Sequence, residues 1–519
     1  MKLRNSASSR REFLRHAGAI GSVLGAAASP LALNLLAAGS AAAQAASDYK
    51  AIVCLFFFGG NDAYNMVLPT DAGSFANYTA VRNQAPDSIA LLAPGTAPNT
   101  GAAVGSPARL GGVLPISPLN PQGRSFALHP LLGTLQSMFD SDKRLAILPN
   151  IGPLVMPTTK AQYALASHPK PQSLFSHNDQ QNTWQALAPE GVTRGWGGRM
   201  GDLLASLNAR PVFTAVSAAG NSVWLAGQNV RQYQVSGNGA IRMGTDANGR
   251  IYGSAEVGAA MQRIVSAGRN GHVFEADLGA VSQRSIDAET TLRTALKPAS
   301  DPLFGTAPAT GTYSANNDPK LQYLNPLTGA AAFNALAQQF QVVARMIDAG
   351  ASASIGAKRQ VFFVSLGGFD THDNENRNHA DLMARVAQAM RYFDSTLGVM
   401  ALRSQVTTFT ASDFGRSFTS NGDGTDHGWG AHHLVMGGAV RGGDLYGGFP
   451  VLGAKNASNN NFDSSPDQLG NGSLLPGTSV DQLGATLGKW FGLSDAQLLD
   501  IFPNLANFDA AKRNLGFLV

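Results

Sequence analysis

Four short runs rich in apolar and β-branched residues constrain the fold of this chain more than any other feature. They span residues 51–58, 144–149, 360–366 and 406–411, and residues 211–216 form a weaker fifth run. A run of this kind is typical of a strand that is buried on both faces, as in the middle of a parallel sheet. The runs therefore predict a central, mostly parallel sheet.

Helical periodicity lies between these runs. Apolar residues recur every three or four positions from Phe333 to Ile347, and the pattern ends at Gly350, a residue type that often terminates a helix. A second pattern predicts a helix from about His379 to Leu397. Strands that alternate with helices indicate right-handed crossovers. The sequence thus predicts a three-layer α/β fold, in which helices cover both faces of the sheet.

The first 46 residues have the composition of an export signal rather than of a folded domain. Arg10 and Arg11 precede an apolar pair, as in the signals that the twin-arginine translocase reads. A weakly apolar stretch follows and ends in a small-residue cleavage motif at residues 43–45. We therefore expect residues 1–46 to be removed during export to the periplasm or beyond. An uncleaved membrane anchor is the alternative.

The charge of the chain changes once this signal is set aside. The full sequence contains 38 Lys and Arg residues and 34 Asp and Glu residues. Residues 1–46 include five of the basic residues and one of the acidic residues, which leaves 33 of each in the mature part. A neutral protein without a basic run has no electrostatic footprint for nucleic acid. No later stretch reaches about 20 uninterrupted apolar residues, so no stable membrane span is expected in the mature chain.

We expect residues 47–519 to form a single α/β domain with two insertions. Residues 85–125 are rich in Gly, Pro, Ser and Asn, and this composition predicts a long surface loop. Residues 219–330 have the pattern of short strands, one helix near residues 259–267 and loose polar sequence. Large α/β enzymes often use a chain of this length as one domain with insertions.

Acidic residues and histidines follow the ends of the predicted strands. Asp62 follows the first run and Asp413 follows the last, while Asp370 and His372 follow the third. Functional groups of α/β sheets gather where the strands end and the loops begin. A mixture of carboxylates and imidazoles suits zinc or manganese, whereas calcium takes oxygen ligands alone. These strand ends therefore predict a site for a divalent metal ion.

Further candidate ligands lie in the glycine-rich segment after the last run and just before a predicted helix. They are Asp426, His427, His432 and His177. The first-choice ligands are Asp62, Asp370, His372, Asp413 and His427. A network of aspartates and histidines that only caps the loops is the alternative to a metal site.

Ser176, at the start of a predicted helix, is open to two interpretations. With Asp179 three residues later, it has the form of a capping box. Beside a metal ion and at the positive end of a helix, its hydroxyl would be placed to attack phosphorus or sulfur. Arg416 is a candidate partner for the anion of the substrate.

Several of these segments together resemble a bacterial family known as domain of unknown function 1501, whose members typically carry twin-arginine signals. The matching pieces include GGNDAYN, LFSHNDQQNTWQ, GGFDTHDNE, SDFGR and GTDHGWGAHH, and the likeness spans roughly residues 50–450. That family in turn resembles the alkaline phosphatase and sulfatase superfamily. The resemblance implies an alkaline-phosphatase-like fold and metal ligands at Asp62, Asp370, His372 and Asp413, with His427 and His432 as competing candidates for a last ligand.

The sequence therefore predicts an exported, metal-dependent hydrolase of phosphate or sulfate esters. Two metal ions would bind a small anionic ester, and the twin-arginine translocase would be a partner during export. A secreted binding or assembly protein on a hydrolase-like scaffold is the alternative, because fold likeness does not establish catalysis. A hydroxyl or water site about 3 Å from the metal ligands would distinguish the two.

Overall fold

A nine-stranded sheet crosses the middle of the protein. The computed structural model describes residues 49–241, 246, 248–267, 272–456 and 461–519. The predicted export signal lies outside these residues. In the described part, no helix combines the length and the hydropathy that a membrane span requires.

The strands vary from two to nine residues in length. They are β1 (Lys50–Phe58), β2 (Val67–Pro69), β3 (Leu114–Ile116), β4 (Phe126–Leu128), β5 (Leu145–Gly152), β6 (Ala215–Ser217), β7 (Tyr233–Ser236), β8 (Gly239–Ala240), β9 (Gln322–Leu324), β10 (Ala331–Phe333), β11 (Arg359–Gly367), β12 (Val406–Ser412), β13 (Arg416–Ser420), β14 (Thr425–His427), β15 (Ala431–Met436) and β16 (Thr478–Ser479).

The α-helices lie mainly between these strands. They are α1 (Ala63–Met66), α2 (Ala72–Arg82), α3 (Pro107–Leu110), α4 (Gly133–Asp140), α5 (Lys160–Tyr163), α6 (His177–Ala186), α7 (Trp196–Leu204), α8 (Ala255–Ser266), α9 (Val273–Ala295), α10 (Ala335–Gly350), α11 (Glu375–Val399), α12 (Val480–Phe491) and α13 (Asp495–Ile501).

The main sheet is mostly parallel, as the sequence predicts. Its strand order is β16-β5-β15-β12-β1-β11-β6-β7-β8. Only β15 and β8 run against the other seven strands. Because the parallel strands end at the same edge, the loops that follow β1, β11 and β12 emerge side by side.

The four strong runs do not all lie side by side in the sheet. The runs at residues 51–58, 360–366 and 406–411 are adjacent as β1, β11 and β12, but β15 separates the run at 144–149 from them. The histidines at the start of β15 led the sequence analysis to treat that segment as a loop with metal ligands. The weak fifth run contributes only the short strand β6, which follows a 3₁₀ turn at Pro211–Phe213.

Helices cover both faces of the sheet, which confirms the three-layer α/β fold. Alternate side chains of a strand point to opposite faces, and β1 supplies both cores. Val53, Leu55 and Phe57 pack in one core with apolar residues of α4, α10 and α11. Ile52 and Phe56 pack in the other core with apolar residues of α7, α12 and α13.

The predicted helices are present, and one more helix occurs between β8 and β9. The helix expected to end at Gly350 is α10, the helix expected near residues 379–397 is α11, and the one expected near residues 259–267 is α8. Helix α9, with 23 residues, was not expected. Its many Ser, Thr, Asp and Gly residues have low helix propensity, which hid it in the sequence.

Candidate metal centre

Three ligand-type side chains from three separate segments meet at the carboxyl edge of the sheet. The ligand atoms of His177, Asp370 and His427 all lie within 4.8 Å of one another. His177 is the first residue of α6, Asp370 follows β11 by three residues, and His427 ends β14. No second group of this kind occurs in the described part of the chain.

His372 is next to this group. Its Nε2 atom lies 3.2 Å from Oδ1 of Asp370 and 2.9 Å from Nε2 of His427. Two imidazole nitrogens at this distance either share one proton or turn their lone pairs to a common cation. We call His177, Asp370, His372 and His427 the ligand group.

In His177, His372 and His427, Nδ1 lies near a protein oxygen atom. This contact orients each ring so that Nε2 faces the other members of the ligand group. Nδ1 of His427 lies 2.7 Å from the carbonyl oxygen of Phe175. A carbonyl only accepts hydrogen bonds, so this Nδ1 carries the proton and Nε2 keeps a lone pair that faces the ligand group. In His372, Nδ1 lies 3.4 Å from Oδ1 of Asp426.

In His177 the Nδ1 atom is likewise hydrogen-bonded to the protein, here to a carboxylate, and Nε2 faces the ligand group. Its Nδ1 atom lies 2.7 Å from Oδ2 of Asp413, and this hydrogen bond is the main reason that the pKa of His177 is raised. Its Nε2 atom is buried and has no hydrogen-bond partner. Metal-binding histidines almost always donate their other N–H to a carboxylate or a carbonyl. The donor set and the unpartnered Nε2 therefore fit a metal ion.

Asp413 holds His177 in place and is not itself one of the converging ligands. Its side chain is fully buried. Besides His177, its Oδ2 accepts hydrogen bonds from the backbone N–H of Gly59 at 3.1 Å and from Nε2 of Gln181 at 2.8 Å. Gln181 is not among the residues that the sequence motifs indicate, although its position four residues after His177 places both on one face of α6.

Arg416 holds Asp370. Its Nη1 atom donates to Oδ1 of Asp370 at 2.7 Å and to the carbonyl of Gly59 at 3.3 Å, and its remaining N–H groups donate to Thr425. Burial raises the pKa of Asp370, but the hydrogen bond and charge of Arg416 outweigh this effect and lower it. The guanidinium is fully buried, and its N–H groups donate to these protein acceptors.

A family model described as "Protein of unknown function (DUF1501)" matches residues 49–502. The chain belongs to this family. No curated protein is similar enough in sequence to match it. The match agrees with the resemblance found in the sequence motifs.

Solved structures show only a distant likeness to this DUF1501 chain. Ps i-CgsB in complex with k-i-k-neocarrahexaose has 8% identity and a TM-score of 0.33, over 90% of this chain and 78% of its own. A protein of glycosaminoglycan metabolism from Bacteroides thetaiotaomicron has 9% identity and a TM-score of 0.31, over 87% and 74%. Alkaline phosphatase from the Antarctic bacterium TAB5 has 8% identity and a TM-score of 0.24, over 75% and 91%.

Asp62 does not join the ligand group in this DUF1501 chain. It caps the N-terminus of α1 by accepting a hydrogen bond from the N–H of Tyr64 at 3.2 Å, and it forms a buried ion pair with Arg82. Burial raises the pKa of Asp62 to about 7, against the opposing charge of Arg82. Burial likewise raises the pKa of Asp481, at the start of α12, to about 6. We call Asp62 and Asp481 the two buried carboxyls.

His432 also lies apart from the ligand group. It is buried in β15, where its Nδ1 accepts a hydrogen bond from the N–H of Asn150 at 3.1 Å. Burial lowers the pKa of His432 and of His433 to about 3, and that of His379 to about 4. Burial also lowers the pKa of His129. These four residues, the four buried imidazoles, are neutral parts of the core.

Ser176 lies directly before the ligand group. It is the N-terminal capping residue of α6, but its side chain makes no capping hydrogen bond to the helix backbone. The backbone N–H of Glu190 and then the Ser176 hydroxyl lower the pKa of the Asp179 carboxyl. The predicted capping box is therefore not formed, and the half-buried hydroxyl lies one residue from His177.

Proposed function

We propose that this DUF1501 chain is an exported hydrolase of phosphate or sulfate esters that uses one divalent metal ion. The observation that carries the proposal is the convergence of three imidazole nitrogens and one carboxylate, with the outer nitrogens of His177 and His427 anchored on Asp413 and on the carbonyl of Phe175. We propose the ligand group as the metal ligands.

The donor set favours zinc over manganese. Zinc binds imidazoles well, and a catalytic zinc ion can expand to five-coordinate so that a substrate oxygen joins its protein ligands, whereas manganese prefers oxygen ligands. Three neutral imidazoles and one carboxylate leave a net positive charge when a divalent ion is bound. When bound, such an ion would polarise an ester oxygen as a Lewis acid. A small anionic ester is the substrate class that this charge suits.

The residues around the ligand group would keep it rigid. Asp413 orients the His177 ring, and Arg416 fixes the Asp370 carboxylate. The N–H of Glu190 and then the hydroxyl of Ser176 lower the pKa of Asp179. We propose Ser176 as the nucleophile: its oxygen would bond to phosphorus or sulfur, and its proton would pass through water to the alcohol that leaves.

The test combines metal content with hydrolysis. The protein should copurify with about one zinc or manganese per chain by elemental analysis and should hydrolyse 4-nitrophenyl phosphate or 4-nitrophenyl sulfate. Asp370→Asn should lower metal content and activity together, whereas Ser176→Ala should lower activity and keep the metal. His272→Ala, at the exposed start of α9, is the control that should change neither. Wild-type protein that binds no added zinc or manganese would contradict the proposal.

The non-catalytic alternative is favoured by one specific observation. Among the described residues, Arg416 is the only Lys or Arg that pairs with the ligand group, and it is buried. A site for an anionic ester usually offers an exposed cation. Protein that holds its metal ion but hydrolyses neither ester would therefore support a binding or assembly function on this scaffold.

A further inference from the structure

Exposed apolar side chains are concentrated in one short part of the described chain. Nine of its sixteen exposed large hydrophobic residues lie between residues 241 and 281. Seven of the nine belong to α8 and to the beginning of α9: Val257, Met261, Ile264, Val273, Phe274, Leu278 and Val281. We call α8 together with residues 273–284 of α9 the arm.

The arm is a helical hairpin that extends from the domain. Helices α8 and α9 contact each other, and the carbonyl of Val265 lies 3.9 Å from the Cβ position of Gly279. On α9, Ala288 and Leu292 enter the main core. Phe274, Leu278 and Val281 continue the same helical stripe toward the tip, where they are 76%, 67% and 43% exposed.

The exposed apolar residues of α8 are unusual for a short helix, because packing of the apolar face is what usually stabilises such a helix. Helix α8 has 12 residues, a length at which an isolated helix is marginal in water, and most helices depend on packing of their apolar face. Its apolar residues at positions 257, 261 and 264 share one face but are exposed. A contiguous apolar stripe of this kind marks an interaction site.

We propose that the arm pairs with the arm of a second copy of this chain, around a two-fold axis near Val281. Asp277 and Arg284 are seven residues apart, so they lie two turns apart on one flank of the α9 stripe. When two α9 helices pack antiparallel around such an axis, Asp277 of each copy lies opposite Arg284 of the other. The stripe is thus complementary to itself in charge, as a two-fold interface requires.

The charge pattern favours a protein copy over a lipid surface. Residues 250–287 contain four arginines, four acidic residues and no lysine, so their charges cancel. Helices that bind anionic membranes carry an excess of Lys and Arg on their polar face. The arm has no such excess.

The size of the arm predicts a weak, reversible dimer. Two helices about 10 Å wide and about 18 Å long present roughly 400 Å² per copy, or about 800 Å² for the pair. This area lies at the low end of specific interfaces. We therefore expect dissociation in the micromolar range.

Sedimentation equilibrium of the purified protein tests the dimer directly. The wild type should show a mass that rises from monomer to dimer between about 1 and 200 µM. Asp277→Arg and Arg284→Asp should each weaken the dimer about tenfold, because each creates two like-charge contacts, and the double variant should restore it. Leu119→Glu, at another exposed apolar residue, should leave the dimer unchanged. A wild type that stays monomeric throughout would overturn the proposal.

Disulfide trapping tests the antiparallel register. The one cysteine of the chain, Cys54, is buried, so an introduced cysteine would be the only accessible thiol. Val281→Cys should form a disulfide with its own copy across the axis. Phe274→Cys should not, because its two copies would lie about 20 Å apart, well beyond disulfide reach. Equal cross-linking of both variants, or a monomer that binds phosphatidylcholine and phosphatidylglycerol vesicles, would overturn the proposal. None of these outcomes depends on the metal site.

Discussion

Asp413→Asn is the most direct test of how the candidate metal centre is built. In the wild type, one oxygen of Asp413 accepts hydrogen bonds from His177, Gly59 and Gln181. Asparagine keeps the shape of the side chain but removes its charge. The His177 ring would lose the carboxylate that fixes its tautomer and orientation.

The expected loss of zinc affinity follows from these contacts. A hydrogen bond to a charged group contributes roughly 1.5–3 kcal/mol, and a neutral one about 0.5–1.5 kcal/mol. The difference between these two contributions, about 1–1.5 kcal/mol, corresponds to a roughly 5- to 13-fold loss of affinity, at the lower end of the roughly 10- to 100-fold loss that substitutions behind a metal ligand cause. The new amide N–H₂ would also occupy the place of Oδ1, which has no partner, so the free energy of unfolding should fall by about 1–3 kcal/mol.

A zinc titration against a chromophoric chelator measures the affinity, and urea unfolding of the ion-free protein measures the stability. The matched control is Asp202→Asn, because Asp202 is also buried and accepts three backbone N–H groups far along the chain from the ligand group. This control should lose stability but keep its zinc affinity. The reasoning is refuted if Asp413→Asn binds zinc within about twofold of the wild type, or if both variants lose affinity equally.

Three further predictions concern pH, backbone geometry and export. Below about pH 6.5 the ion-free protein should lose stability, because the four buried imidazoles take up protons only on unfolding. Asp62 and Asp481, the two buried carboxyls, hold protons in the folded state and release them on unfolding, which offsets part of this loss. The net uptake of about two protons corresponds to about 2.7 kcal/mol per pH unit near pH 5.5, and urea unfolding that is independent of pH would contradict it. Gly59→Ala should destabilise the protein by about 2–4 kcal/mol and lower its metal content, since Gly59 has a φ of +116° and an added Cβ would lie 2.3 Å from the N atom of Asp370; Gly73→Ala, where nothing lies within 4 Å, is the neutral control in both assays. Replacing Arg10 and Arg11 by lysine should leave the precursor in the cytoplasm, and its normal appearance in a periplasmic fraction would contradict the twin-arginine assignment.

The sequence predicted the central strands well because burial on both faces leaves a direct mark on composition. The runs that became β1 and β11 contain few polar residues, and the run that became β12 consists of apolar residues and β-branched threonines, a composition typical of buried strands. Strand β15 carries the same burial, but its second and third residues are histidines, which are less often fully buried than Ile, Val or Leu. The histidines of β15 therefore indicated a loop with ligands, although this strand passes through the core.

The candidate site was predicted in its elements but not in its roles. Asp62, Asp370 and Asp413 all follow strands at one edge, yet only Asp370 belongs to the ligand group, while Asp413 holds His177 from behind. The turn after β1 directs Asp62 to Arg82. A difference of a few ångströms in the position of a carboxylate decides whether it contacts a metal ion or the imidazole behind it. Sequence spacing does not encode such a shift, and neither did it reveal that Arg416 would be buried.

The position of β1 at the centre of the sheet has a consequence for how the protein is made. Its neighbours are β11 and β12, and Ala51 pairs with Gln360 on one side and with Val406 on the other. During synthesis the first strand therefore gains its first partner only after about 300 further residues and its second after about 350, and its apolar segment is exposed for that time. Contacts this distant in sequence form slowly. We expect the nascent chain to depend on a holding chaperone, and the export machinery to receive a finished fold only after the last third of the chain has left the ribosome.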